Sequence, residues 1–136
     1  MPDKLEGRTQ EIFEEGKNYA LVSIPKSDGT VQAVVVWAHT DDDGNVTLNS
    51  AEGRAWPENL RKAGTATVTM MADGNPYEWV SVVGRLAQDT HDGADEHIDQ
   101  LAKKYLDADS YPYRREDEQR IKFALKPERV VYTKPD

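Results

Sequence analysis

At 136 residues the chain has the length of one ordinary domain, enough to bury a core without disulfides or a structural metal. Its formal net charge of -8 and pI of about 4.9 argue against attraction to nucleic acid or to an anionic membrane. Cysteine is absent, which excludes disulfides, thiolate zinc sites, iron–sulfur clusters and cysteine nucleophiles together.

The chain begins with a charged segment, Met1 to Glu6, that has no apolar signal core. No apolar run approaches the roughly 20 residues of a membrane span. A soluble, cytoplasmic protein is expected. Thr9 to Glu15 reads as a short helix, with Thr9 as N-cap and Gly16 as terminator. Asn18 to Ile24 reads as a strand, and Lys26-Ser27-Asp28-Gly29 as a hairpin turn, because Asp-Gly supplies the positive φ that such turns need. Val31 to His39 is apolar at nearly every position and is expected to be one strand covered on both faces, as in a closed barrel with something packed outside it. Asp41 to Asn45 is a second turn, and Val46 to Ser50 a further strand.

Pro57 suits the first turn of a helix that runs to about Lys62, with Gly64 ending it. Ala66, Val68, Met70 and Ala72 alternate with polar residues as a half-buried strand. After the loop Asp73 to Pro76, a long strand runs from Tyr77 to Ala87, with Gly84 marking a bulge or tight bend. Residues 93–106 form the clearest helix. Ala94, Ile98, Leu101, Ala102 and Tyr105 make its apolar stripe, Asp92 is its expected N-cap, and its terminal charges match the macrodipole. Arg120 to Leu125 is a strand that Pro127 is expected to separate from a last one, Val130 to Thr133. About seven strands in hairpins, with two or three inserted helices, favour a small antiparallel barrel over a Rossmann sheet.

The segment Asn49 to Arg61 is the first place to seek a ligand. A strand ending in small polar residues and turning into a helix presents unpaired N–H groups backed by a helix dipole, which suits an anion. Arg54 and Arg61 add positive charge there in an acidic chain. No metal site is expected. His39, His91 and His97 lack ligand spacing, and the Asp41 loop has Val46 where a calcium loop needs Gly. Trp37, Trp56, Trp79 and Tyr77 read equally as core, interface or ligand-stacking aromatics.

Four stretches, in this order, resemble one family: Asp28-Gly29 with the strand ending Val36-Trp37; Ser50 to Arg61; Asn75-Pro76-Tyr77 through Val83-Gly84-Arg85; and Asp99 to Leu106. Together, from about Tyr19 to Tyr132, they resemble the pyridoxamine 5′-phosphate oxidase-like split β-barrel flavoproteins, and most closely the branch that binds the deazaflavin coenzyme F420. The resemblance implies a single mainly-β domain over residues 1–136, with an N-terminal arm at 1–16 and the inserted helix at 93–106. It also implies a homodimer with a cofactor in each of two grooves at the subunit interface.

By the same resemblance Ser50 would place a hydroxyl on the cofactor phosphate, with Asn49 beside it. Arg54 and Ala55 fall in the phosphate-binding turn. Asn59-Leu60 matches an Asn-Leu pair on the following helix. Val34, Val35 and Val36, leading to Trp37, match the strand lying along the ring. Tyr77 and Trp79 match a strand that reaches the partner's groove, and Tyr77 is the one candidate proton donor; no catalytic residue is otherwise identified. Trp56 stands where relatives often carry Lys, so Arg54 and Arg61 are left as compensating cations. The implied function is hydride transfer between F420 and an unsaturated small-molecule substrate. The alternatives are an FMN-dependent enzyme of the same fold, or a non-catalytic deazaflavin carrier or sensor.

Overall fold

A computed structural model describes residues 4–135. Helix α1 spans Arg8–Glu14. Strands β1 (Ala20–Pro25), β2 (Val31–Val36), β3 (Ala38–Thr40) and β4 (Val46–Ala51) follow, then α2 (Ala55–Ala63). The chain continues through β5 (Thr65–Ala72), β6 (Asn75–Thr90), α3 (Ala94–Leu106) and β7 (Arg120–Thr133). The strands form a single antiparallel sheet in the order β2-β1-β5-β6-β7-β4-β3.

The two edge strands of that sheet, β2 and β3, are joined in sequence by Trp37 alone. The sheet must therefore roll up until its edges meet at this residue. They meet without pairing, which makes the architecture a split β-barrel. Its core is the alternating inward set: Val22 and Ile24 of β1, Leu48 of β4, Val68 and Met70 of β5, Val80 and Val82 of β6, and Ile121, Phe123 and Leu125 of β7. Phe13 of α1 and Leu60 of α2 are fully buried against the same core.

The expected strand from Val31 to His39 is thus two strands with a break at Trp37. The expectation that both of its faces are covered also fails: Val31 and Val35 on β2 are 60% and 66% exposed. An apolar run reports burial somewhere, and here one face of an edge strand is bare within the single chain. Pro127 does not end a strand. It sits inside the continuous β7 opposite Gly84, where the β6–β7 register shifts. A proline cannot donate to the ladder, and a bulge is where that is tolerated. Gly84 has no room for a side chain, since a Cβ there would stand 2.9 Å from Leu125 Cβ.

Helix caps moved by a residue or two. The α1 N-cap is Gly7, and the Thr9 hydroxyl instead bonds the Glu6 backbone within the first turn. The α3 N-cap is Gly93 in the left-handed region rather than Asp92. The α2 stop at Gly64 (φ 71°) is as expected. The C-terminal end of α3 ties the seam together. Lys104 Nζ donates to the carbonyls of Phe13 and Ala38, and the Tyr105 hydroxyl donates to Asn18 O at 2.9 Å.

Candidate functional site

The seam is also where the cleft lies. Its cavity of about 250 Å³ is lined by Val35, Val36 and Trp37 from the β2–β3 break, Asn49 from β4 and Arg54 from the turn before α2. Tyr19, Ile98 and Leu101, Tyr111 and Tyr113, and Arg120 complete it. The fold explains the grouping. The free edge of β2 and the end of β4 are brought together by the rolling of the sheet, and α3 with its following loop covers the gap.

One wall is aromatic. Tyr105 is stacked between Tyr19 (5.8 Å, 13°) and Trp37 (5.3 Å, 7°). Tyr111 meets Trp37 edge-on at 6.1 Å, and Tyr113 meets Tyr111 at 5.7 Å. Such offset and edge contacts hold flat rings at defined angles. The other wall is cationic. Arg54 is half exposed and lies 3.5 Å from Glu118. Arg120 has a side chain only 5% exposed; it donates from Nε to Asn49 Oδ1 at 2.9 Å and from Nη1 to Glu118 at 2.8 Å. Its guanidinium lies 5.2 Å from the Tyr111 ring centroid.

Behind Arg120 is a buried polar network. Asn49 Nδ2 donates to Ala94 O at 2.9 Å and meets His97 Nδ1 at 3.1 Å. Burial pushes the His97 imidazole down to about 3, with the nearby cations Lys122 and Arg120 acting the same way. His97 is therefore neutral across the physiological range.

The structure brings together only part of the expected set. Val35, Val36, Trp37, Asn49 and Arg54 line one cleft, and Val34 points inward from the same strand. Ala55 is the exposed first residue of α2, adjoining Arg54. Ser50 is fully buried, and its hydroxyl has no partner among the described residues. Trp56 does not line the cleft; it packs in the barrel core against Phe123 at 5.7 Å. Asn59 donates to Gln32 at 2.6 Å and lines a separate hollow with Lys26 and Lys62. Arg61 is held by Glu52, Glu58 and Asp89, leaving it no unshared face for an anion. Tyr77 is 74% exposed at the start of β6, and neither it nor the half-buried Trp79 lines the cleft.

Arg120, His97, Tyr111 and Tyr113 were missed from the sequence. His97 alone carried a signal, because it falls on the apolar stripe of α3 and a polar residue there needs a buried partner.

No protein-family model matches the chain, and no curated protein matches it. Solved structures do. An F420 reductase superposes with a TM-score of 0.78 at 17% identity, over 93% of this chain and 98% of that one. A candidate pyridoxamine 5′-phosphate oxidase from Listeria innocua gives 0.66 at 14% identity, over 89% and 91%. PhzG from Burkholderia lata 383, in complex with tetrahydrophenazine-1-carboxylic acid, gives 0.62 at 11% identity, over 87% and 70%. At these identities the likeness is one of fold: the chain shares the split β-barrel of these proteins.

Proposed function

We propose that this chain is a deazaflavin-binding oxidoreductase, transferring hydride between coenzyme F420 and an unsaturated small molecule. The observation that carries the reading is the cleft at the barrel seam, with a flat aromatic wall at Trp37 and paired guanidiniums at Arg54 and Arg120 in a chain of net charge -8. A planar heterocycle with an anionic tail has that shape and charge. Similarity in fold to an F420 reductase supports the same reading.

The residues present fit such a group. The unpaired edge of β2 offers the outward N–H and C=O groups of alternate residues to a ring lying along it, beside Val35 and Val36. Trp37 presents an aromatic face. Arg54, only loosely held by Glu118, is free to turn to a phosphate, and Arg120 supplies a second, fixed cation. Ile98, Leu101 and Tyr111 exclude water from one side. When bound, the deazaflavin supplies the hydride chemistry at its C5. The protein binds, orients and shields it. Among the described residues the cleft lining holds no carboxylate and no histidine, and solvent or Tyr77 of a second subunit is the proposed proton source.

A homodimer belongs to the same proposal. The register rows Val35–Leu21–Thr69–Ser81–Val131 and Met71–Trp79–Thr133 of the outer sheet face carry no charge, in a chain that is 31% charged. A second copy seated there would cover Leu21, Val35 and Trp79 and add a wall to a cleft that one chain leaves shallow. FMN is the second candidate cofactor. Arg120 gives the cleft a second cation although Trp56 replaces the usual Lys, and a phosphomonoester could use it.

Arg54→Ala tests the reading. The variant is expected to weaken F420 or FMN binding by about 1.5 kcal/mol or more, the scale of a charged hydrogen bond, with the unfolding curve unchanged. Unaltered affinity for both would remove Arg54 from the site.

A further inference from the structure

We infer that His97 is a positioning residue for the cleft: through Asn49 it fixes where the Arg120 guanidinium stands. The inference rests on the cofactor reading above for its consequence, but its geometry stands on the protein's own hydrogen bonds.

The hydrogen-bond directions are determined by elimination. Arg120 Nε–H can only donate, so the atom 2.9 Å away must be the Asn49 carbonyl oxygen. Ala94 O can only accept, so the atom 2.9 Å from it must be the Asn49 amide nitrogen. The second N–H of that amide then points at His97 Nδ1, 3.1 Å away, which must be the unprotonated nitrogen. Both amide hydrogens and the facing oxygen lone pair of Asn49 are thereby used. Asn49 lines the cleft yet has no N–H left for a ligand. It acts as a spacer that transmits the orientation set by α3 to Arg120.

His97 supplies the third of the three contacts that hold this amide in place. Without an acceptor at its Nδ1 position, one amide hydrogen of Asn49 is buried without a partner. Turning the amide gives no relief, because it would set the NH₂ against Arg120 Nε–H and the oxygen against Ala94 O, so the side chain shifts as a whole. Buried groups left in that state cost free energy until something moves. What moves with the amide is the arginine, because Glu118 holds it only at Nη1. A fixed guanidinium binds an anion without first losing side-chain freedom, so this placement acts on affinity for phosphate-bearing ligands and not on the ring.

The test compares His97→Leu, which keeps volume and removes the acceptor, with His97→Asn, whose Oδ1 can overlay the imidazole Nδ1. Two measurements are made on each. The first is the Arg120 Nε–H resonance in the ligand-free protein. It is expected to be protected from exchange in wild type and His97→Asn, and to be broadened or lost in His97→Leu. The second is the ratio of affinities for FMN over riboflavin and for F420 over its phosphate-free 8-hydroxy-5-deazariboflavin. His97→Leu should lower the ratio about tenfold, one hydrogen bond's worth, and His97→Asn should restore it to within about threefold. A resonance equally protected in all three proteins overturns the positioning role. A protected resonance with equal loss for phosphate-bearing and phosphate-free probes shows a structural role only and also overturns it. If wild type binds none of the four probes while the resonance behaves as expected, the cofactor reading fails and the positioning geometry stands.

Discussion

Arg120→Met removes a guanidinium whose side chain is 5% exposed, while keeping most of its apolar volume. Three contacts go: the bond to Asn49 Oδ1 at 2.9 Å, the ion pair to Glu118 at 2.8 Å, and the stacking over Tyr111 at 5.2 Å. Breaking a buried ion pair by deleting one partner costs about 3–5 kcal/mol. Glu118 is not stranded outright, because its side chain is 12% exposed and Arg54 lies 3.5 Å away. That argues for the low end of the range. The orphaned Asn49 oxygen adds about 1–3 kcal/mol, not additively, since the groups share one network. The expected total is about 3 kcal/mol, or roughly 10 °C in Tm for a domain of this size. Arg120→Lys keeps charge but cannot reach Asn49 and Glu118 together, and is expected to lose about 1–2 kcal/mol. Urea unfolding followed by circular dichroism measures both, through the midpoint at unchanged slope. An Arg120→Met midpoint within about 0.5 kcal/mol of wild type would refute the reasoning, for it would mean that water serves Asn49 and Glu118 as well as the arginine does.

Gly84→Ala should destabilise by about 1–3 kcal/mol, because the new Cβ would stand 2.9 Å from Leu125 Cβ; an unchanged Tm would mean that the β6–β7 bulge yields freely. Stability should fall with acid in successive windows. His97, held down to about 3 by burial, is neutral in the fold and takes up a proton in the unfolded chain, so stability is lost as pH falls from 6.5 towards 3. Glu52, held down to about 2 by Arg61 and then His91, contributes stability above pH 4.5 that is lost as pH falls towards 2. His97→Asn should therefore flatten the stability curve between pH 6.5 and 4.5, and Arg61→Met only below that; the reverse pattern would contradict both assignments. Leu21→Lys places a charge in the uncharged outer row opposite Val35 and should shift the protein from dimer to monomer in light scattering. A wild type that is monomeric at all concentrations would remove the dimer proposal.

Local chemistry was legible where one residue decides the outcome. Asp28-Gly29, Gly64 and the alternation of Ala66, Val68, Met70 and Ala72 all stand as their residue types dictate. The α3 stripe did too, but its reading passed over His97 between Ala94 and Ile98, where helical spacing put it on the buried face. What the sequence hid was topology. Nothing in Val34-Val35-Val36-Trp37-Ala38 says that the chain leaves one sheet edge at Val36 and joins the other at Ala38. That crossing makes the cleft. Pro127 misled because a proline reads as a strand end unless the partner strand is known to bulge at Gly84. Arg61 misled for an electrostatic reason: a cation beside an anion-binding turn looks available until three carboxylates, from Glu52, Glu58 and Asp89, are found around it. Arg120 carried no local mark, since its partners Asn49 and Glu118 include one 71 residues away.

The most direct test of the cofactor proposal is a parallel titration of the purified, cofactor-free protein with coenzyme F420 and FMN. Tryptophan fluorescence is the readout, because Trp37 lines the cleft while Trp56 is buried in the core. Saturable quenching by F420 at lower concentration than by FMN is the predicted result. Tighter binding of FMN would move the protein to the flavin reading, and no saturable quenching by either would contradict the account.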